Sequence, residues 1–557
     1  MRYLRTPLDL PLLLFVVSAL IGVWASYDPA ASWRKFALIV AAVAIYYAIV
    51  ATRAAPRLLE IFVWLFLIGC AALAVYFATQ YDYAGEGKFG PITQLGLWLN
   101  QVVPQLPLRV SHPNVVAGAL EIALPVNVAL VAGRQSSVAS KRSPVTVYGS
   151  LLTAILISFG LVMTASRGAW LALGVVAVGA ALIALARNVL KRYALPVALI
   201  VALLGLIIVV QMGDAFAPAL DALFGAIPAD NTAVSRLAVF RQAWGLVQDY
   251  YFTGGGLGMF AMVFSTYALL IDVPFLTHAH NLFLEIWIEQ GLLGFIVFAW
   301  LIVEFYVWVL NSRQTTVSWL AWGGIAATTV MLLHGFVDVL LYSSRALPVL
   351  FVPMGLALAS RQSPVASEQS DSDQYSVFSV QKSKIGNPTE ALRRRKSKIS
   401  VAILVALCLL LTAYCLLHTS NSIAALWYAN LGSVAQTRAE LARFPFPDWK
   451  AGVVRRSGDL SQAQTYFQQA LSFDSGNVTA NQRLGAIAAA RKEYDAAQRH
   501  LNAAQGRDPM NAVTWRLTAN TYLAMGLQVE ACHIAEQAKT LGRNGAWMFP
   551  PAECATK

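Results

Sequence analysis

An all-α membrane protein, a polytopic helical bundle with about eleven apolar spans and a C-terminal helical-repeat domain, is the fold the sequence predicts. Three observations predict it. Of 557 residues, 57% are hydrophobic and 13% charged, where soluble domains carry roughly 45–50% and about 25%. Uninterrupted apolar stretches recur at the length of roughly 20 residues that one helical crossing needs. Near the end, Ala463, Ala497 and Ala531 form one series and Ala470, Ala504 and Ala538 another, each at the repeat length of about 34 residues that marks stacked helix pairs. A soluble enzyme is thereby excluded.

The spans fall at 8–26, 35–52, 58–79, 114–133, 147–165, 168–188, 193–212, 290–311, 316–339, 344–360 and 399–418. Lipid leaves no partner for open backbone groups, so each must be a helix. Arg2 and Arg5 precede the first apolar run as in a secretory signal, but no convincing small-residue cleavage site follows, and a retained first helix is expected. With the N-terminus in the cytoplasm, Arg53 and Arg57, Arg134 to Arg142, Arg187 to Arg192, Arg313 and the tract Arg393 to Lys398 all fall on one side. The net charge of +12 therefore reads as a topology signal and not as a nucleic-acid footprint. The opposite, outward face receives residues 80–113, the turn at Ser166-Arg167, the segment 213–289, the turn near Tyr342 and everything beyond 418.

Residues 361–398 are rich in Ser, Gln and charge without apolar periodicity, and are expected to be a disordered cytoplasmic linker. The domains are thus 1–360, 361–398, 399–418 and 419–557. In the last, Asp474 and Asp508, and Asn477 and Asn511, keep the step of the alanines. The pattern is that of tetratricopeptide repeats, with Val478–Asn511 and Ala512–Gly545 as full units and Asp459–Asn477 as half of an earlier one. Such an array either stabilises the membrane part or docks a partner protein. The five cysteines contain no CxxC pair, so neither a zinc site nor a disulfide framework is implied, although Cys532 and Cys554 could pair.

Polar groups on the outward face are the candidates for chemistry. Arg167 stands in a tight turn between spans, where it either snorkels to headgroups or binds an anion. Ser235 to Trp244 reads as an amphipathic surface helix carrying Arg236 and Arg241, followed by the glycine-rich run Thr253 to Gly258. That run has no preceding strand and is not a nucleotide fingerprint; it turns sharply, approaches a ligand, or is a flexible loop. In Thr277-His278-Ala279-His280-Asn281, a histidine serves as metal ligand, as general base, or as cap. No third metal ligand is evident, and no metal is expected. His112, ahead of Pro113 and Asn114, ends a loop or touches substrate; Asn281 and Tyr267 are further candidates for substrate contact.

The segments His112-Pro113-Asn114, Ser166-Arg167-Gly168-Ala169-Trp170, Arg236 through Phe240 and Arg241 to the glycine run, and His278-Ala279-His280-Asn281 through Glu285, Glu289 and Gly291-Leu292-Leu293-Gly294 occur in that order. Together they resemble the O-antigen ligase and polymerase superfamily of GT-C glycosyltransferases over roughly residues 8–360. The resemblance implies transfer of a glycan from a polyprenyl diphosphate to an acceptor hydroxyl of a lipid, a growing glycan or a protein. The site would lie on the periplasmic side of a bacterial inner membrane. It implies His280 as base, Arg167 and Arg236 as diphosphate ligands, Arg241 and His278 as secondary candidates, and no cofactor or nucleic acid. A lipid-linked diphosphate carries its own activation, so paired guanidinium hydrogen bonds to phosphate oxygens supply the electrostatic stabilisation that commonly dominates such catalysis.

Overall fold

The computed structural model describes residues 6–84, 90–135, 144–189, 227–229, 232–234, 236–311, 318–339, 341–360, 421–442, 449–540 and Cys554. The expected spans at 193–212 and 399–418 and the linker 361–398 lie outside the described residues. The described residues are all-helical apart from a pair of three-residue strands, β1 (Ile227–Ala229) and β2 (Thr232–Val234), joined antiparallel.

The membrane part begins with α1 (Asp9–Ala25), α2 (Pro29–Ala51), α3 (Pro56–Gln80), α4 (Gly90–Val102), α5 (Pro113–Gln135), α6 (Pro144–Met163) and α7 (Arg167–Val189). Several of these start on proline, whose missing N–H and fixed φ suit the first helical turn. In α2 the preceding Asp28 also caps Ala31 N–H at 3.0 Å. Next come α8 (Arg236–Asp249), α9 (Phe260–Val263), which continues into a wide helical turn over Phe264–Leu269, α10 (Leu282–Asn311), α11 (Trp319–Gly335) and α12 (Val352–Ala359). Four described helices, Pro29–Ala51, Pro56–Gln80, Pro113–Val131 and Leu282–Val309, are long and apolar enough to cross a membrane. Their outward surfaces keep Leu58, Ile61, Leu65 and Val303 exposed, which is favourable only against lipid.

α10 is two helices meeting at Gly291, whose φ of 70° leaves the helical region, so the span expected from 290 onward begins where the sequence placed it. The span expected at 344–360 shortens to α12 after a short 3₁₀ turn at Leu347–Val349, because Pro348 and Pro353 each remove a helix donor. The glycine run is neither a flexible loop nor a ligand cradle. Gly255 N–H donates to Ile288 O at 2.6 Å and Leu292 N–H to Tyr251 O at 2.9 Å, so the run is the seam that seats 250–257 against the break in α10.

The tail opens with α13 (421–441), then α14 (Ala451–Ser457), α15 (Ser461–Phe473), α16 (Val478–Ala490), α17 (Tyr494–Arg507), α18 (Ala512–Ala524) and α19 (Gln528–Thr540). The six repeating alanines are all 3% exposed or less, the small residues at which paired helices touch. Asn477 caps α16 through Ala480 N–H at 2.9 Å, and Asn511 caps α18 through Val513 N–H at 3.1 Å. Cys532 and Cys554 are bonded, with Cα atoms 5.5 Å apart.

Candidate active site

The site is built around Asp338, in the turn that ends α11. Asp338 N–H donates to His334 O at 2.9 Å, so the chain leaves the helix with this carboxylate turned inward. Its side chain is 2% exposed. Asn114 Nδ2, in the first turn of α5, donates to Oδ2 at 2.5 Å, and Val339 N–H donates to Oδ1 at 2.8 Å. Around it stand His278 Nε2 at 3.4 Å, His280 Nδ1 at 3.3 Å and Arg236 Nη2 at 3.8 Å. A buried carboxylate is costly unless neighbouring donors and cations meet its charge, and here four elements converge to do so.

The histidine loop is held from beneath. Ala279 N–H donates to Glu285 Oε2 at 2.7 Å, and Ser343 Oγ donates to the other oxygen at 3.2 Å. Asn281 Oδ1 caps α10 by accepting from Phe283 and Leu284 N–H, each at 3.0 Å, while its Nδ2 reaches Phe336 O at 3.0 Å. His280 sits at φ 52°, a left-handed conformation costly for a residue with a Cβ and kept only where surroundings impose it. That bend brings both imidazoles to one carboxylate, their ring centres 4.3 Å apart.

The two histidines are driven apart electrostatically. Burial opposes charge on both. At His278 the hydrogen bond and charge of Asp338 outweigh burial and hold the imidazole above its ordinary range. At His280 burial prevails, helped by repulsion from His278 and Arg236, and the imidazole is pulled below that range. Burial opposes charge on Asp338, but the two imidazoles facing it outweigh that, and its carboxyl is held well below the usual carboxylate range. The arrangement therefore pushes the two imidazoles in opposite directions, His278 toward the charged form and His280 toward the neutral one.

Arg236 is the first residue of α8, its side chain 17% exposed. Its Nε is buried without a hydrogen-bond partner, as is His280 Nδ1, which lies near Asp338 but is not aligned to donate. Arg167 begins α7 with an exposed side chain, close enough that its charge acts on Arg236. Gly168 lets that turn approach α11: a Cβ there would stand 2.5 Å from His334 Nε2. His334 is itself bound to Glu121 at 2.7 Å, a buried pair beneath the arginines.

Of the residues expected from sequence, His278, His280, Asn281 and Arg236 come together, with Arg167 within electrostatic reach. Arg241 is exposed and makes no described contact with Asp338. His112 is exposed and its Nδ1 accepts from Asn114 N–H at 3.3 Å; the member of that motif that reaches Asp338 is Asn114. Tyr267 is not brought to this cluster: it is 4% exposed, and its hydroxyl donates to Glu440 in the tail at 2.9 Å. The sequence also offered no third metal-ligand type, whereas the fold supplies one: ligand atoms of His278, His280 and Asp338 lie within 4.8 Å of one another. These three could hold a cation, but Arg236 and Arg167 crowd like charge around it, and the orphaned Arg236 Nε asks for an acceptor; the donor set fits an anion better. Asp338 itself escaped sequence reasoning. Its signal was a lone carboxylate, in His334-Gly335-Phe336-Val337-Asp338, at the end of an apolar span, where charge is costly.

The described fold is that of a multi-helix membrane protein with a buried cluster of ionisable side chains at the helix ends. Comparison with family models matches residues 152–299 to O-antigen ligase and residues 455–521 to a tetratricopeptide repeat. The expected resemblance to O-antigen ligases, with C-terminal tetratricopeptide repeats, is thus borne out over these two segments. Arg167, Arg236, His278 and His280 lie inside the matched segment; Asn114 and Asp338 lie outside it. No curated protein matches the chain.

Proposed function

We propose that this chain moves a glycan from a polyprenyl diphosphate carrier to an acceptor hydroxyl at the outer face of a bacterial cytoplasmic membrane. The observation that carries the reading is one buried carboxylate, Asp338, gathering His280, His278 and Arg236 beside Arg167. With His280 Nδ1 turned toward Asp338, the other ring nitrogen takes the proton of the acceptor hydroxyl as its oxygen attacks the anomeric carbon. The bond from that carbon to the diphosphate oxygen breaks, and the electron pair leaves with the diphosphate. Arg236 and Arg167 stabilise the negative charge that develops there, and attack opposite the leaving group inverts the anomeric centre. Asp338 holds the ring and offsets the imidazolium as it forms, the role of an orienting carboxylate. No metal is required, since two guanidiniums meet the leaving charge.

An outward placement is supported by the Cys532–Cys554 bond, which belongs to an oxidising compartment, and by the contacts that join the tail to the segment bearing Arg236. The acceptor is a lipid core sugar, the growing glycan or a protein hydroxyl. A deletion strain separates them by what is lost: attachment of polymer, length of polymer, or protein glycosylation. The site itself is tested by complementing that strain with His280→Ala or Arg236→Ala, each shown to be inserted. The glycan product should disappear; a normal glycan profile with either variant contradicts the assignment.

A further inference from the structure

The tetratricopeptide repeats do not present an open inner face to solvent. Arg483, on α16, puts Nη2 at 2.5 Å from Asp249 Oδ2, while Thr479 Oγ1 donates to the other carboxylate oxygen at 2.8 Å. The same guanidinium lies over the Tyr267 ring at 3.7 Å, and Tyr267 hands on to Glu440, which Arg455 binds through Nε and Nη2 at 2.9 and 3.2 Å. Asp249, Arg483 and Tyr250 are 7%, 5% and 0% exposed. The apolar side of α8 joins the tail as well, since Val239, Ala243 and Leu246 share one core with Val434, Leu441 and Trp449.

Asp249 is the last residue of α8 and Arg236 the first, so the clamp grips one end of a rod of about 20 Å whose other end carries the guanidinium of the site. A buried ion pair contributes little net stability compared with apolar packing, but it does select one arrangement over its neighbours. We infer that Arg483 is a positioning residue: by holding Asp249 it fixes the rotation and height of α8, and so the direction from which Arg236 meets a diphosphate. This rests on the proposed diphosphate role of Arg236.

The test uses the full chain in detergent and a short polyprenyl diphosphate, geranylgeranyl diphosphate, as probe, with Kd read from intrinsic tryptophan fluorescence. Arg236→Ala should raise Kd by about tenfold or more, the value of a charge-assisted contact. Arg483→Met should raise it by a comparable factor, and Asp249→Asn, which keeps the volume and an acceptor for Thr479, should repeat the loss in a protein that folds. In the Arg236→Ala background neither substitution should weaken binding further, because coupled residues are not additive. If Arg483→Met and Asp249→Asn bind as tightly as wild type while Arg236→Ala does not, the positioning role is wrong. Additive losses overturn it too, since they indicate a general structural effect. If Arg236→Ala itself binds normally, the diphosphate reading fails first, a result distinguishable from failure of the clamp alone.

Discussion

In the proposed transfer His280 is the base, and its surroundings set the pH at which it can act. The Asp338 carboxylate favours the charged form of both histidine rings, but at His280 burial and two cationic neighbours win. A base works only when unprotonated, so transfer should hold from neutral pH down through the ordinary histidine range and fall below it, with the acid limb midpoint under that of a free imidazole. Asp338→Asn removes the charge that supports the imidazolium, so His280 should titrate still lower. The pH–rate profile should then show the limb moved toward acid together with a lower plateau, by about 10²–10⁴-fold if base catalysis is lost. A limb moved toward alkali would show that Asp338 does not act on His280. The histidines and arginines were legible in the sequence because ionisable groups in an apolar chain stand out against their surroundings. Asp338 was not, because its relation to His280 spans 58 positions of chain and exists only once α11 packs beside α10.

Elements place these groups, and the break in α10 is the most exacting contact among them. Gly291 has φ 70°, and a Cβ on it would stand 2.1 Å from Phe252 O; Gly254, at φ 72°, would meet Glu289 C at 2.5 Å. Ala at either position adds left-handed strain of about 1–3 kcal/mol to a backbone clash. Gly254→Ala should therefore lower the thermal midpoint of the detergent-purified protein by several degrees, whereas Gly174→Ala, whose Cβ meets nothing within 4 Å, should leave it unchanged. Equal midpoints for the two would remove the seam from the account. Apolar length gave the positions of α1 to α3 and α5 to α7 closely, since a hydrocarbon core selects for it, but not α4, which lies in the segment 80–113 that carried no expected span. It could not show that Gly254 to Gly256 serve helix contact, because that depends on partners distant in sequence.

At the scale of the whole molecule, the tail is fastened to the membrane part through Asp249, Thr253 and Tyr267 rather than hung from it, with Asn430 Oδ1 accepting from Phe252 and Thr253 N–H at 2.8 and 3.1 Å. The repeat period was legible because two helices must touch at small residues every turn of the array; the face it covers was not, since periodicity carries no information about docking. If the tail is outward, the peptide pair joined through Cys532 and Cys554 should be recovered intact from unreduced membranes by mass spectrometry. Recovery of only reduced peptides would place the tail in a reducing compartment and reverse the sidedness. Single-turnover release of free polyprenyl diphosphate from a glycan-loaded carrier, measured with purified protein in excess EDTA, decides whether His280 drives metal-free transfer from a lipid diphosphate. Wild type should release it in step with glycan transfer while His280→Ala binds the donor and releases none. Release by His280→Ala at the wild-type rate, or its abolition in wild type by EDTA, would contradict the account.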